Sequence, residues 1–145
     1  MNYDLNRYLE AQNQDYKIAL EEIKNGRKYS HWIWYIFPQL IELGRSSIAK
    51  YYGISGISEA TAYLNHSILR ERLIEISTAL LSLKTSDPTE ILGQPDDMKV
   101  RSCMTLFSFI RPDITVFQAV IDKFYDGKLD RRTIDLLKSY EMQKD

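Results

Sequence analysis

The sequence predicts an all-α fold, a single compact bundle of about seven to nine helices with an orthogonal or irregular arrangement over residues 1–145. Apolar residues recur at three- and four-residue steps along most of the chain, which is the spacing of one helix face. No stretch shows the convincing alternation of a half-buried strand, and the segments are joined by short connections. A chain of 145 residues is ordinary for one domain and can bury about two thirds of its unfolded surface.

Two helices separated by a short break are predicted between Asp4 and Lys24. Their apolar stripes comprise Leu5, Tyr8 and Leu9, then Tyr16, Ala19, Leu20 and Ile23. Asn13 and Asp15 lie between the stripes and are good N-cap residues, because their side chains accept from free backbone amides. Gly26 is predicted to end the second helix, because glycine readily adopts the left-handed conformation of a helix end.

The aromatic segment that follows predicts a short helix over residues 30–37. Ser30 is its expected N-cap, and Pro38 ends it because proline disfavours helical backbone in the preceding residue. Six consecutive apolar residues leave a buried strand as the alternative. Another short helix is predicted to begin at Ser46 or Ser47.

The middle of the chain predicts two further helices. Ser58 is the expected N-cap of a helix that carries Ala60, Tyr63 and Leu64. His66 closes this helix, at an end where the helix dipole favours a cation. Ser67 is the expected N-cap of the longest regular helix, whose apolar positions are Leu69, Leu73, Ile76, Leu80 and Leu83.

Four more helices are predicted to begin near Asp87, Pro95, Val116 and Asp130. Asp87 and Asp130 are expected side-chain N-caps. A proline is tolerated in the first turn of a helix, because the backbone N–H that it lacks would have no intrahelical partner there. Gly93 is predicted to end the first of these helices, and the turn at residues 111–113 to end the second.

The composition argues against several functional classes. The formal net charge is −1 and no run of five like charges occurs, so neither a nucleic-acid nor a membrane partner is predicted. No apolar run approaches the ~20 residues of a spanning helix, and the first residues lack a secretory pattern, so we expect a soluble cytoplasmic protein. With Cys103 alone and two unpatterned histidines, no metal or other cofactor is predicted. The oligomeric state is left open.

Residues 28–39, with the sequence KYSHWIWYIFPQ, concentrate side chains that can carry chemistry. His31 is a candidate general base, because imidazole exchanges a proton near neutral pH, and on a helix it shares a face with Trp34 and Tyr35. Gln39 follows a rigid aromatic-proline corner and offers one donor and one acceptor. The alternatives are a histidine satisfied by a backbone carbonyl and a glutamine that pins a loop.

Two other clusters have polar groups with possible ligand contacts. Ser46 follows a glycine at a predicted helix start, where free amides favour an anion, although such a serine commonly caps its own helix. Lys99 and Ser102 lie on the helix that begins near Pro95 and remain candidates, whereas Asp96 is interpreted as part of a solvated ion pair. Cys103 lies between apolar residues and is interpreted as a core residue.

Five motifs occur in order along the chain: AQ at Ala11, GRKYSHWIWYIFPQL from Gly26, YYGI at Tyr51, AYLNHSILRERL from Ala62 and DDMKVRSCMTLF from Asp96. Together they resemble a bacterial and fungal family of small all-helical proteins, domain of unknown function 1810. The resemblance implies a mainly helical single domain and no established activity. Some members carry the label calpastatin, but a calpain inhibitor of that name is long, polar and disordered before it binds.

We predict that His31 and the ligand-binding residues given next form a pocket for a small molecule of the nucleotide or ADP-ribose kind. Hydrolysis is a further predicted step if His31 acts as general base. The other predicted ligand-binding residues are Lys28, Ser30, Trp32, Trp34, Gln39, Ser46, Tyr52, Lys99 and Ser102. One alternative is a protein-interaction module with an exposed patch of Trp34, Tyr35, Tyr51 and Tyr52. The other is that the aromatic motif is simply core.

Overall fold

The structure is a computed structural model that describes residues 2–143. Within that range the chain forms nine α-helices and no β-strand, which confirms the predicted all-α fold. The helices are α1 (Asn6–Lys24), α2 (Ile33–Ile36), α3 (Ser47–Tyr51), α4 (Ile57–Asn65), α5 (Ser67–Leu81), α6 (Pro88–Leu92), α7 (Asp96–Ile110), α8 (Val116–Phe124) and α9 (Arg131–Met142). None of the described helices combines the length and apolar character needed to cross a membrane.

Helix α7 lies at the centre of the bundle. It packs against α2, α4, α6, α8 and α9, while α5 packs against α1, α4 and α8. Consistent with this position, the α7 side chains of Val100, Cys103, Met104, Leu106 and Phe107 are all fully buried. Each large apolar side chain buried in this way stabilises the fold by about 1.5–3 kcal/mol. Cys103 is therefore a core residue, as its apolar neighbours indicated.

The predicted break within the first helical segment is wrong, because α1 is continuous from Asn6 to Lys24. The polar residues that signalled a break bind other parts of the fold instead. Gln12 is buried and donates from Nε2 to the Tyr35 carbonyl oxygen at 2.8 Å, and Asp15 accepts from the Tyr35 hydroxyl. At 19 residues α1 is also longer than α5, which was predicted to be the longest helix.

Three of the predicted N-caps are confirmed. Ser46 Oγ accepts from the Ala49 amide at 3.2 Å, Asp87 caps α6, and Asp130 Oδ2 accepts from the Thr133 amide at 3.2 Å. These bonds join residues two or three positions apart, so the local sequence suffices to predict them.

Three other predicted caps are wrong. Helix α2 starts only at Ile33, and α4 starts at Ile57, one residue before Ser58. Helix α5 is capped by His66 instead of Ser67, because His66 Nδ1 accepts from the Leu69 amide at 3.5 Å. His66 therefore lies at the end of α4 and also caps the start of α5.

A parallel bridge between Leu40 and Ile54 joins the connection after α2 to the connection after α3. The Ile41 amide donates to the Ile54 carbonyl oxygen at 2.8 Å, and the Ile54 amide donates to the Gln39 carbonyl oxygen at 2.9 Å. Gly53 allows this approach, since a Cβ there would lie 2.5 Å from Ile41 Cα. The bridge thus holds the backbone of Gln39 in place.

Candidate functional site

Glu22 on α1 organises the start of the aromatic motif. Its Oε1 accepts from the backbone amides of Tyr29 and Ser30 at 2.8 and 3.0 Å and from Trp32 Nε1 at 3.0 Å, and its Oε2 accepts from Ser30 Oγ at 2.6 Å. Burial opposes ionisation of this carboxyl, but the hydrogen bonds outweigh it and lower the pKa of Glu22 from 4.5 to about 2. Sequence reasoning missed Glu22, because nothing local marks a helix glutamate that binds residues seven to ten positions later.

Asp96, at the start of α7, lies between two lysines. Lys28 Nζ is 2.9 Å from Asp96 Oδ2 and 4.9 Å from the centre of the Trp32 ring, and its side chain is only 7% exposed. Lys99 Nζ is 3.7 Å from Asp96 Oδ1 and 5.4 Å from the centre of the Trp34 ring. Asp96 thus forms the expected ion pair with Lys99 on its own helix, but it does not belong to a solvated face, because a nearly buried lysine from a distant segment is its closest partner.

Gln39 and Lys99 line two adjoining spaces. The first is a small cavity of about 10 Å³, whose other walls include Trp34 and Tyr52. The second, which we call the Gln39–Lys99 cleft, is open to solvent and has a volume of about 220 Å³. Its remaining walls are Leu43, Pro95, Met98, Ser102, Asp130 and Arg132. The small cavity has room for about one water molecule, so of these two spaces it is the cleft that can hold a ligand.

The floor of the cleft is fixed by hydrogen bonds around Asp130. Ser102 Oγ lies 3.0 Å from Asp130 Oδ2 and donates to it, and the Asp130 amide donates to Thr105 Oγ1 at 2.9 Å. Asp130 also caps α9, so one carboxylate connects α7 with α9. Ser102 is buried and already bonded, which makes it a wall of the cleft more than a free polar contact.

The structure brings together half of the predicted site residues. Gln39, Lys99 and Ser102 line the cleft, and Trp34 and Tyr52 line the small cavity beside it, as described above. The other five do not reach either space. Trp32 is buried in the core, Lys28 binds Asp96, Ser30 binds Glu22, Ser46 caps α3, and His31 is exposed.

The position of His31 differs from the prediction because α2 begins two residues after it. His31 therefore does not share a helix face with Trp34 and Tyr35. Its carbonyl oxygen, not its ring, lies near the Tyr35 hydroxyl, at 3.3 Å, while that hydroxyl donates to Asp15. Within residues 2–143 no group of three or more histidine, cysteine, aspartate or glutamate side chains is arranged to hold a metal ion.

The fold and the cleft together define an all-α protein whose central helix and the bridge beside it enclose a polar groove. The chain belongs to the family described as "Protein of unknown function (DUF1810)", whose model matches residues 2–137. It is similar to the 1.38 Å crystal structure of the conserved hypothetical protein Rv1873 from Mycobacterium tuberculosis. The two are 43% identical with a TM-score of 0.92, covering 94% of this chain and 97% of the other. No curated protein matches the chain.

Proposed function

We propose that the Gln39–Lys99 cleft binds a small anionic molecule with a planar part, of the nucleotide or ADP-ribose kind. The observation that carries the proposal is the position of Gln39 and Lys99, which line both the small cavity and the open cleft. An amide and an ammonium group thus meet an aromatic wall at the inner end of a groove. Small-molecule sites combine apolar walls with convergent polar groups, and Leu43, Pro95 and Met98 supply the apolar part of this one.

The cleft wall holds two cations, Lys99 and Arg132, against one carboxylate, Asp130, so its charges favour an anion. Asp96 lies closer to Lys28 than to Lys99, at 2.9 Å against 3.7 Å, so the Lys28 ammonium offsets most of its negative charge. The Lys99 side chain is 25% exposed and retains attraction for a ligand. Arg132 adds a second cation at the rim. A hydrogen bond from such a charged donor contributes about 1.5–3 kcal/mol.

The planar part of the ligand has its place on the outer wall and not on a tryptophan. The Lys99 ammonium already lies over the Trp34 ring, and the cavity beside that ring holds no more than a water molecule. Pro95, Met98 and Leu43 supply an apolar wall in the cleft, and Met98 is half exposed. Trp34 then acts by positioning Lys99.

The proposal covers binding without a reaction. A general base must lie within hydrogen-bond reach of the proton it removes, and His31 lies outside the walls of the cleft. The interaction-module alternative receives less support, because Tyr35 is buried and Trp34 and Tyr52 are half-buried. Tyr51 alone among the four residues of that patch is mainly exposed.

The test is a calorimetric titration with ADP and ADP-ribose, with adenosine as the uncharged comparison. We expect both anions to bind more tightly than adenosine, and Lys99→Met to weaken ADP binding by about tenfold or more because one charged donor is removed. Lys84→Met is the matched control, since Lys84 is exposed and lines neither space. Equal binding by the Lys99→Met variant, or no preference for the anions over adenosine, would contradict the proposal.

A further inference from the structure

A third cavity, of about 260 Å³, lies beside the first half of α1 and the end of α3. We call it the tyrosine cavity, after Tyr35, Tyr51 and Tyr52 in its wall, where Glu10 and Asp15 supply carboxylates. It shares Tyr52 with the small cavity and no residue with the Gln39–Lys99 cleft. Ligand binding at the tyrosine cavity is therefore independent of ligand binding at the Gln39–Lys99 cleft.

The Tyr52 ring stands at a steep angle to each of the other two rings of this cavity. The centroids of Tyr51 and Tyr52 are 4.8 Å apart with planes at 87°, and those of Tyr35 and Tyr52 are 5.0 Å apart with planes at 54°. Tyr51 is 58% exposed, so part of this aromatic surface is open to solvent. Aromatic faces carry negative electrostatic potential, and rings at angles can surround a cation from more than one side.

The two carboxylates make the same cavity acidic. Across residues 2–143, every ion pair involves other carboxylates, so neither Glu10 nor Asp15 has a lysine, arginine or histidine nitrogen within 4.0 Å. The Tyr35 hydroxyl donates to Asp15 and holds that carboxylate at the cavity wall. Burial raises the pKa of Tyr52, Tyr51 and Glu10 raise it further, and Arg7 lowers it.

Arg7 also borders the cavity, but its charge is used within the fold. Its guanidinium pairs with Glu59 at 3.0 Å, and both side chains are nearly buried. It also donates to the carbonyl oxygens of Tyr51 and Gly53 at 2.8 and 3.0 Å. The Glu59 carboxylate offsets the charge of Arg7, which leaves Glu10 and Asp15 as the uncompensated charges in the wall.

We infer that the tyrosine cavity binds an organic cation of the methylated ammonium class. Methyl groups on the cation would contact the tyrosine rings, and the positive charge would be attracted by the ring faces and by Glu10 and Asp15. A metal ion fits the wall less well, because hard cations take six or more oxygen ligands and the wall offers two carboxylates, Glu10 and Asp15. The aromatic rings instead match a large, weakly hydrated cation.

The probe is choline chloride, titrated against the full chain at constant ionic strength and followed by aromatic proton–carbon NMR. The comparison ligand is 3,3-dimethyl-1-butanol, which has the shape of choline without its charge. We expect saturable shifts of the Tyr51 and Tyr52 ring signals with choline and at least about fivefold weaker binding of the neutral analogue. Equal binding of the two ligands, or shifts confined to other tyrosines, would overturn the inference.

Two variants separate the contributions of rings and charges. Tyr51→Leu and the double variant Glu10→Gln, Asp15→Asn should each weaken choline binding by about threefold or more. Asparagine at 15 retains an acceptor for the Tyr35 hydroxyl, and Tyr51 is largely exposed, so the fold should persist in both. Tyr29→Leu is the matched control, because Tyr29 is 71% exposed and lies outside the cavity wall. Unchanged affinity in both test variants would refute the inference.

The methylated ammonium group could belong to a free metabolite or to a methylated lysine in a peptide. Free trimethyllysine and a short peptide that contains it distinguish these sources. Equal affinities for trimethyllysine and the peptide would indicate that the natural ligand is a free cation. Tighter binding of the peptide would indicate that the rest of the peptide contacts the protein beyond the cavity. Binding of neither compound, together with no choline binding, would overturn the inference for both sources.

Discussion

Glu22→Gln is the sharpest test of how the aromatic motif is held. The carboxylate accepts four hydrogen bonds from Tyr29, Ser30 and Trp32, and glutamine keeps the shape and one acceptor oxygen but loses the charge. The pKa of Glu22 falls from 4.5 to about 2 on folding, which at about 1.36 kcal/mol for each pKa unit corresponds to at most ~3.4 kcal/mol. Because Glu22 is only half-buried, solvent screening reduces the expected loss to about 1–2 kcal/mol.

The same pKa change predicts how the loss depends on pH. The folded state holds the Glu22 proton less tightly than the unfolded state, so the stabilisation is complete above the unfolded pKa of 4.5. It is lost as the pH falls through the folded value of about 2. The difference in unfolding free energy between wild type and Glu22→Gln should therefore be full at pH 7 and shrink to less than about half by pH 3.

Urea unfolding at a series of pH values between 7 and 3 measures this difference, with tryptophan fluorescence as the signal. Glu21→Gln is the matched control, because Glu21 is the exposed neighbour of Glu22 on α1 and its variant should match wild type closely. A Glu22→Gln variant as stable as wild type at pH 7 would refute the reasoning. A stability difference that stays constant down to pH 3 would refute it equally.

Two further stability predictions follow from the packing. Gly53→Ala should lower the unfolding free energy by about 1–3 kcal/mol in urea, because the new Cβ would lie 2.5 Å from the backbone of Ile41. A Gly53→Ala variant as stable as wild type would show that the Ile41 backbone can move away from the new Cβ at no cost, and this would contradict the prediction. Arg7→Met should cost about 3–5 kcal/mol in the same assay, since it leaves the nearly buried Glu59 carboxylate without its ion pair. The control Arg131→Met removes an arginine that is 89% exposed and should change stability by less than about 0.5 kcal/mol, so similar losses in both variants would contradict the argument.

The sequence alone determined the all-α fold and most of its helices. Apolar spacing identifies a helix face without knowledge of what covers it, and the caps at Ser46, Asp87 and Asp130 bind amides two or three residues away. The family resemblance could also be recognised from the sequence, because the motifs and their order are properties of the sequence itself. These features depend on interactions of short range along the sequence.

The tertiary structure decided which polar residues are structural and which line a cavity. Gln12 and Asp15 resemble caps in the sequence, yet their partners are Tyr35 and Tyr63 from other helices. His31 lies among candidate ligand contacts in the sequence, yet the chain leaves it exposed.

Glu22 and the tyrosine cavity have no local signal at all. The partners of Glu22 lie seven to ten positions later, and the residues of the tyrosine cavity are separated by up to several tens of positions. Only the packing of α1 against its neighbours brings these groups together. Residue type and spacing predict what a side chain can do within one helical turn. Which group it meets across the bundle is set by how buried surfaces fit together, and this depends on all the helices at once.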